Sequence, residues 1–211
     1  MGRMVLMLLL TGALIAGCKK KEPPKLDLSN PRAAAISFTR AVETGDVETA
    51  KAAAYAAGIE VELVQAMAES IPSLKRLHSV AHARYGEDAR TLLDIGPMIN
   101  SLSRMQTAEL AADEHRARLT DADGKILSHL KNVDGEWKVD VGASIGGQDV
   151  TERIPSLRAM GKVADQLAAE IESGKFETAA DAKRELHLRM LIELRGTPPG
   201  ATSPATAPIG T

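Results

Sequence analysis

The feature that most constrains this chain is a stretch near its middle in which apolar and polar side chains alternate. From residue 115 to residue 141 the pattern has a period of two, which is typical of strands with one buried face. Turn signals interrupt it at residues 121–124 and at Asp134-Gly135, a pair that favours a tight hairpin. With a further strand over residues 105–111, the sequence predicts a four-stranded antiparallel meander.

The two turns also predict which residues face each other across the strands. A shift by one residue would exchange the two faces, so the register is tested by whether apolar side chains collect on one of them. The predicted opposite pairs are Leu130 with Val139, Leu119 with Ile126, and His115 with Leu130. The apolar face then comprises Ala108, Leu110, Ala117, Leu119, Ile126, Leu130, Trp137, Val139 and Val141. The other face is predicted to be solvated, with opposite charges across strands.

Helical patterns precede the meander. Ser29 or Asn30 is expected to cap a first helix that begins at Pro31 and ends at Gly45. Asp46 is expected to cap a second helix that runs to residue 57. Two more helices are predicted over residues 59–70 and from residue 72 to about residue 86, with one or two further turns over residues 87–94.

Two helices are predicted after the meander, beyond a glycine-rich connection over residues 142–147. The first ends at Gly174, and Thr178 caps the second, whose apolar face is Ala182, Leu186, Met190 and Leu194. Only five aromatic residues are present, so the core must be aliphatic, which favours helices. The expected fold is α+β: N-terminal helices, a meander covered by helices on one face, and a C-terminal helical pair.

The first residues have the layout of a signal peptide. Arg3 is followed by an apolar stretch over residues 4–16, which is too short for the roughly 20 residues that cross a bilayer as a helix. Residues 15–18, Ile-Ala-Gly-Cys, resemble the bacterial lipobox, in which the cysteine carries a diacylglycerol and becomes the first residue after cleavage. This resemblance implies lipidation of Cys18; the alternative is an ordinary secreted protein with a free thiol.

The domain organisation follows from these features. Residues 1–17 are the predicted signal peptide, and residues 18–30 are a charged, proline-bearing tether. Residues 31–195 form a single domain, and residues 196–211 are expected to be a disordered tail. Cys18 is the only cysteine, so no disulfide forms within the chain, and a net charge of −2 gives no indication of nucleic-acid binding.

A helical hairpin followed by a meander, with the sequence of residues 133–140 at the end of a strand pair, resembles the nuclear-transport-factor-like superfamily, the cystatin-like α+β cone. Phe38 followed by Gly45-Asp46 is similar to how those domains begin. The resemblance covers residues 31–141 and implies a concave sheet face, which the longer helical stretch over residues 59–94 would fill or cover. Residues 170–190 resemble lipoproteins of planctomycete-type bacteria.

Four groups of residues have the types and spacings of possible sites. His115, Ser128 and Trp137 are the predicted pocket for a small ligand, because His115 is the one titratable group on the apolar sheet face. His78 and His82 have metal-ligand spacing without an accompanying carboxylate, and residues 121–124 read as a turn rather than a calcium loop. Residues 142–146 match G-x-S-x-G around Ser144, with only His187 downstream as a base.

These features favour an envelope lipoprotein that binds a protein or a small apolar ligand without catalysis. Its predicted partners are the membrane, through the lipid on Cys18, and an envelope protein or apolar molecule; no cofactor and no metal are expected. The alternative is an enzyme of the polyketide-cyclase or isomerase type on the same cone, with His115 as general base.

Overall fold

The computed structural model describes residues 25–93, 100–146 and 150–195. These residues form seven helices and a five-stranded mixed sheet, which confirms the α+β class. The helices are α1 Pro31–Thr44, α2 Val47–Ala52, α3 Ile59–Tyr85, α4 Ser101–Thr107, α5 Val141–Ile145, α6 Arg153–Glu172 and α7 Ala179–Arg195, with a 3-10 segment at Gly86–Thr91. The strands are β1 Ala54–Tyr55, β2 Glu109–Ala112, β3 Arg116–Thr120, β4 Ile126–Val133 and β5 Glu136–Asp140.

Local capping residues determine both ends of α1, as predicted. The Asn30 side chain accepts a hydrogen bond from the Ala33 N–H at 2.9 Å, and Pro31 occupies the first turn, where a backbone N–H is not needed. Gly45 ends the helix in the left-handed conformation, with φ +78°. Asp46 then caps α2 by accepting from the Thr49 N–H at 3.0 Å.

The sheet differs from the predicted four-stranded meander by one strand. The strand order is β1-β5-β4-β3-β2, and β1 pairs in parallel with β5. The second helix ends at Ala52 rather than at residue 57. Beyond it the Ala53 carbonyl accepts a hydrogen bond from the Val139 N–H, and the chain continues along the edge of β5. The predicted strand over residues 105–111 was also too early: Met105 belongs to α4, and β2 begins at Glu109.

The predicted pairing of β4 with β5 is confirmed, with Leu130 opposite Val139. The predicted pairing of β3 with β4 was wrong by two residues, since Ala117 rather than His115 lies opposite Leu130 and Leu119 lies opposite Ser128. The predicted turn over residues 121–124 closes between Asp121 and Lys125, one residue later than the predicted register requires, and an irregularity beside Leu119 adds one more.

A two-residue shift keeps each side chain on its predicted face, because the period along a strand is two. Ala117, Leu119, Leu130 and Val139 are accordingly buried. Ile126 lies before the irregularity and is exposed instead, contrary to the prediction, as is Leu110 on the edge strand β2.

α3 is one continuous helix of 27 residues, where two helices meeting at Pro72 were predicted. A proline inside a helix leaves the carbonyl four residues earlier without its N–H partner. That carbonyl, of Ala68, faces Gly45, where a Cβ would lie only 3.5 Å from the oxygen and 3.3 Å from the Pro72 ring. Gly45 thus allows the end of α1 to approach the one irregular turn of α3.

The core lies on both sides of α3. Towards the sheet, α3 packs on α1, which in turn packs on β3, β4 and β5. On its other side α3 packs on α6, which packs on α7. α6 ends before Gly174 and Thr178 caps α7, as predicted. Leu194 is 49% exposed, so the predicted apolar face of α7 is buried only at Ala182 and Leu186 and half-buried at Met190. The predicted glycine-rich connection contains a short helix, α5; Gly147 lies outside the described residues.

None of the helices within the described ranges is sufficiently long and apolar to cross a bilayer. The predicted signal peptide, Cys18, the segment around Gly96-Pro97 and the C-terminal tail lie outside the described residues.

Candidate functional site

A largely apolar cavity of about 300 Å³ lies between α1, α3, α4 and the inner face of the sheet. This volume is at the lower end of the range that small-molecule sites occupy in proteins. Seven of the lining side chains are apolar: Phe38, Val42, Met67, Ile71, Met105, Leu127 and Val139. The polar ones are Thr39, Glu43, Ser101, Ser128 and Ser144.

Helical spacing explains why these residues converge. Phe38 and Val42 are four apart on α1, as are Met67 and Ile71 on α3, and residues four apart lie on one side of a helix. Ser101 and Met105 have the same spacing on α4. α1 and α3 therefore each present a short apolar stripe to the cavity, α4 presents Met105 and the hydroxyl of Ser101, and these side chains leave a space between them.

The most unusual group at the cavity is the carboxylate of Glu43, whose side chain is only 7% exposed. One oxygen, Oε2, accepts from Lys75 Nζ at 2.7 Å, and the other, Oε1, accepts from Ser101 Oγ at 2.5 Å. A buried carboxylate without such donors would be costly, so Lys75 and Ser101 make its burial possible. Lys75 comes from α3 and Ser101 from α4, so Glu43 joins three helices at one end of the cavity.

This arrangement leaves hydrogen-bonding capacity at the cavity wall. A carboxylate oxygen can accept about two hydrogen bonds, and each Glu43 oxygen receives one from the described residues. Ser128, on β4, is 4% exposed, and its hydroxyl makes a long contact of 3.4 Å to the His129 carbonyl. The cavity thus combines apolar walls with a fixed acceptor group and hydroxyls, a combination that suits a small apolar molecule with a donor group.

Of the three predicted pocket residues, only Ser128 lines the cavity. His115 is exposed in the turn between β2 and β3, where its N–H donates to Asp113 Oδ1 at 2.8 Å and its carbonyl accepts from the Asn132 N–H. The start of β3 explains its position, because β3 begins at Arg116 and His115 precedes the strand. Trp137 is half-buried against the core of the sheet, and its backbone N–H donates to the Leu28 carbonyl at 2.9 Å.

The G-x-S-x-G sequence lies in α5, which begins directly after β5, and Gly146 ends that helix. Ser144 Oγ accepts a hydrogen bond from the His129 backbone N–H at 3.2 Å, which attaches α5 to β4. His187 is exposed on α7, a helix that packs on α6 and on the 3-10 segment. Ser144 therefore borders the cavity in a structural role, and His187 is not positioned beside it.

The histidine pair of α3 and the acidic turn at residues 121–124 have structural roles within their own elements. The rings of His78 and His82 stack with centroids 6.2 Å apart, and no group of three or more His, Cys, Asp or Glu side chains in the described part of the chain is arranged to hold a metal ion. Asp121 organises its turn by accepting from the backbone N–H groups of Asp123 and Lys125 through Oδ1. Arg104, an additional partner of Asp121, holds the pKa of its carboxyl below the usual range, together with these backbone donors.

Glu43 and Lys75 were not identified from the sequence as site residues. One signal was present: Glu43 lies in the last turn of α1, where the helix dipole disfavours a negative charge. A carboxylate at that position needs a cationic partner from elsewhere in the fold. Which lysine or arginine supplies it depends on the packing of α3 against α1 and cannot be read from local sequence.

Comparisons with protein-family models, with curated proteins and with solved structures find no match to this chain.

Proposed function

We propose that this chain is an envelope lipoprotein, anchored through a lipid on Cys18, whose α+β domain binds a small, mainly apolar ligand in the cavity between α1, α3, α4 and the sheet. The anchoring part is supported by the lipobox-like residues 15–18 and the apolar stretch before them. The binding part is supported by the cavity and, above all, by the buried Glu43 carboxylate at its wall.

The chemistry of the wall defines the ligand class. Apolar side chains from α1, α3 and the sheet would enclose an aliphatic or aromatic body, and the free acceptor positions of Glu43 would receive a hydroxyl or amino hydrogen. A ligand with its own carboxylate would be repelled by Glu43. We therefore propose a neutral or cationic amphiphile rather than a fatty acid.

The enzyme alternative requires His115 beside the cavity as a general base. Its position in an exposed turn disfavours that reaction, and the single carboxylate of the cavity is already paired with Lys75. The cone-like superfamily remains our proposal for the fold family, supported by the helices packed on the inner face of a sheet whose β2–β5 part is an antiparallel meander.

Ligand binding is tested with the purified full chain and a neutral fluorescent probe, N-phenyl-1-naphthylamine. Val42→Phe would place a ring in the cavity, and Val47→Phe on α2, which does not line it, is the matched control. We expect Val42→Phe to weaken probe binding by about tenfold or more, since displacing two buried methylenes costs about 1.6 kcal/mol. Equal binding by both variants would contradict the proposal, provided that both unfold at similar temperatures.

Anchoring is tested separately by the intact mass of the chain purified from a bacterium that processes lipoproteins. We expect a mass that corresponds to a start at Cys18 plus acyl groups, and its loss in Cys18→Ser. An unmodified thiol would refute the anchor while leaving the cavity proposal intact. Native mass spectrometry of the same sample would show whether a small molecule or a protein partner is retained.

A further inference from the structure

The outer face of the sheet carries a row of like charges that the observed register creates. Arg116 on β3 lies opposite Lys131 on β4, and Lys131 lies opposite Lys138 on β5. In the next row, Arg118 lies opposite His129. We call these five residues the basic strip. The predicted register would have placed opposite charges across the strands; that expectation was wrong, because Glu114 lies in the turn before β3 rather than opposite Lys131.

Like charges directly opposite each other destabilise an antiparallel pair, so the strip carries a cost in the isolated protein. Little within the described residues compensates for it. Lys138 has an ion pair with Glu136 at 3.4 Å, whereas Arg116 and Arg118 are exposed and have none. The whole chain has a net charge of −2, so the strip is a local concentration of positive charge on a slightly acidic protein.

The nearest acidic side chains serve the backbone instead. Asp113 Oδ1 accepts from the N–H groups of His115 and Arg116, at 2.8 and 2.7 Å. Asp140 accepts from the Ala143 N–H and so caps α5. These carboxylates shape the ends of the strands, and Asp113 also attracts the charge of the neighbouring Arg116 without a direct ion pair among the described residues.

Two features of the strip suit a lipid headgroup layer. Lys131 Nζ lies 4.0 Å from the ring centre of Tyr55, which is 42% exposed, and tyrosine is a residue that sits well at the polar boundary of a bilayer. A shallow concavity of about 330 Å³ has room for a phosphate group; Arg116, Arg118 and His129 line it, and so does the carboxylate of Asp113, which already accepts from two backbone N–H groups. Arg116 and Arg118 are exposed on this face, whereas His129, Lys131 and Lys138 are half-buried, so the two arginines are the most accessible charges of the strip.

The exit of the tether favours a membrane over other polyanions. The Leu28 carbonyl accepts a hydrogen bond from the backbone N–H of Trp137, so the chain enters the domain alongside β5. Six residues separate Cys18 from Lys25, the first described residue, and the seven steps between the two span at most about 25 Å when the chain is fully extended. A lipid on Cys18 would therefore keep the sheet close to the bilayer, and Lys19, Lys20 and Lys21 would add positive charge beside it.

We propose that the basic strip docks the sheet on an anionic lipid surface, so that the outer face lies against the headgroups and the cavity on the inner face points away from the membrane. The orientation rests on the proposed lipid anchor, whereas the affinity of the strip for anionic lipid does not. The two are tested by different measurements.

The test uses the full chain incorporated into vesicles of phosphatidylcholine alone or with part of it replaced by phosphatidylglycerol. A membrane-impermeant amine reagent followed by mass spectrometry reports the accessibility of Lys131 and Lys138, with Lys183 on α7 as internal reference. We expect both strip lysines to react several-fold more slowly in anionic than in neutral vesicles at low salt, and the difference to vanish at high salt. Equal reactivity in both vesicle types would refute the docking.

The variant Arg116→Gln with Arg118→Gln removes two charges from exposed positions. The matched control is Arg184→Gln with Arg195→Gln on α7, which packs on α6 and the 3-10 segment. We expect the strip variant to lose the protection of Lys138 and the control to keep it. The strip variant should also fold as well as the original chain or slightly better, because it removes like-charge repulsion; protection that survives in it would overturn the proposal.

The intact mass of the chain shows whether Cys18 is acylated, and so whether the proposed orientation on the membrane can rest on a lipid anchor. If the chain proves unacylated, the same variants are compared for binding to added anionic vesicles, where each basic side chain near the surface contributes about fivefold, so that the double variant should bind about 25-fold more weakly. Binding that is equal for the strip variant and the control would refute the strip itself. Protection without acylation would refute only the anchor.

Discussion

The two ends of α3 stabilise two different kinds of structure. Its C-terminal half packs on α6 with Leu74 and Leu77, which are essentially inaccessible, and this side of the molecule has a filled aliphatic core. Its N-terminal half borders a cavity with Met67 and Ile71, on the side of the molecule where the Glu43 carboxylate is buried. The difference suggests that the helical side supplies stability, while the sheet side gives up some packing for a site.

This comparison predicts unequal costs for truncating α3 at its two ends. Leu77→Ala would leave a void in a filled core and should lower the free energy of unfolding by about 3 kcal/mol. Met67→Ala should cost about 1 kcal/mol, because Met67 is half-buried and already borders empty space. Urea unfolding of both variants measures the difference, and equal losses would mean that the cavity is not a weakly packed region.

The closest approach on the helical side depends on Gly161 of α6. A Cβ at this position would lie 2.7 Å from the Ser70 Cβ and 2.8 Å from its Cα, so α3 and α6 would have to separate. We expect Gly161→Ala to cost about 2 kcal/mol, which is typical of overpacking a core. Ser70→Gly in the same chain should restore part of the loss; thermal unfolding of the single and double variants tests this, and a neutral single variant would contradict it.

On the sheet side, removing one partner of the Glu43–Lys75 ion pair should lower the free energy of unfolding more than removing both partners. Lys75→Met leaves the buried Glu43 carboxylate with only Ser101 as donor, and we expect a loss of about 1.5 kcal/mol, less than for a fully buried pair because Lys75 is 30% exposed. Glu43→Leu with Lys75→Met should recover most of it. A double variant as unstable as the single one would show that the pair itself stabilises the fold.

The sequence predicts those parts of both halves that local chemistry determines. The ends of α1 and the start of α2 were predicted correctly, because the caps Asn30, Gly45 and Asp46 satisfy backbone groups only a few residues away. Asp134 and Gly135 have φ of +54° and +88°, as a tight two-residue hairpin requires, and the register from that turn is therefore correct. The buried face of the sheet followed from the same alternation.

The remaining features depend on contacts between residues that are distant in sequence. β1 forms because Ala54 meets Val139, 85 positions later in the chain, and nothing in its own two residues indicates a strand. Pro72 remains inside α3 because Gly45 leaves room beside it. The candidate site was misplaced for a comparable reason: β3 begins only at Arg116, so His115 lies in the turn before it, and the Glu43–Lys75 pair joins α1 to α3, which local sequence does not indicate.

The smallest expected effect is on how the stability of the sheet side depends on pH, because Asp121 stabilises a turn between two of its strands. Hydrogen bonds from Arg104 and from the backbone of Lys125 lower the pKa of Asp121 in the folded chain. A lowered pKa means that this carboxylate contributes stability above its ordinary pKa, near 3.8, and that the contribution is lost as the pH falls through the folded value. Asp121→Asn should therefore be less stable than the original chain at pH 7, and the gap should close in strong acid. Urea unfolding at both pH values measures the gap, and Arg104→Met should produce a similar loss at pH 7; a gap that stays constant with pH would mean that the charge of Asp121 does not stabilise the hairpin.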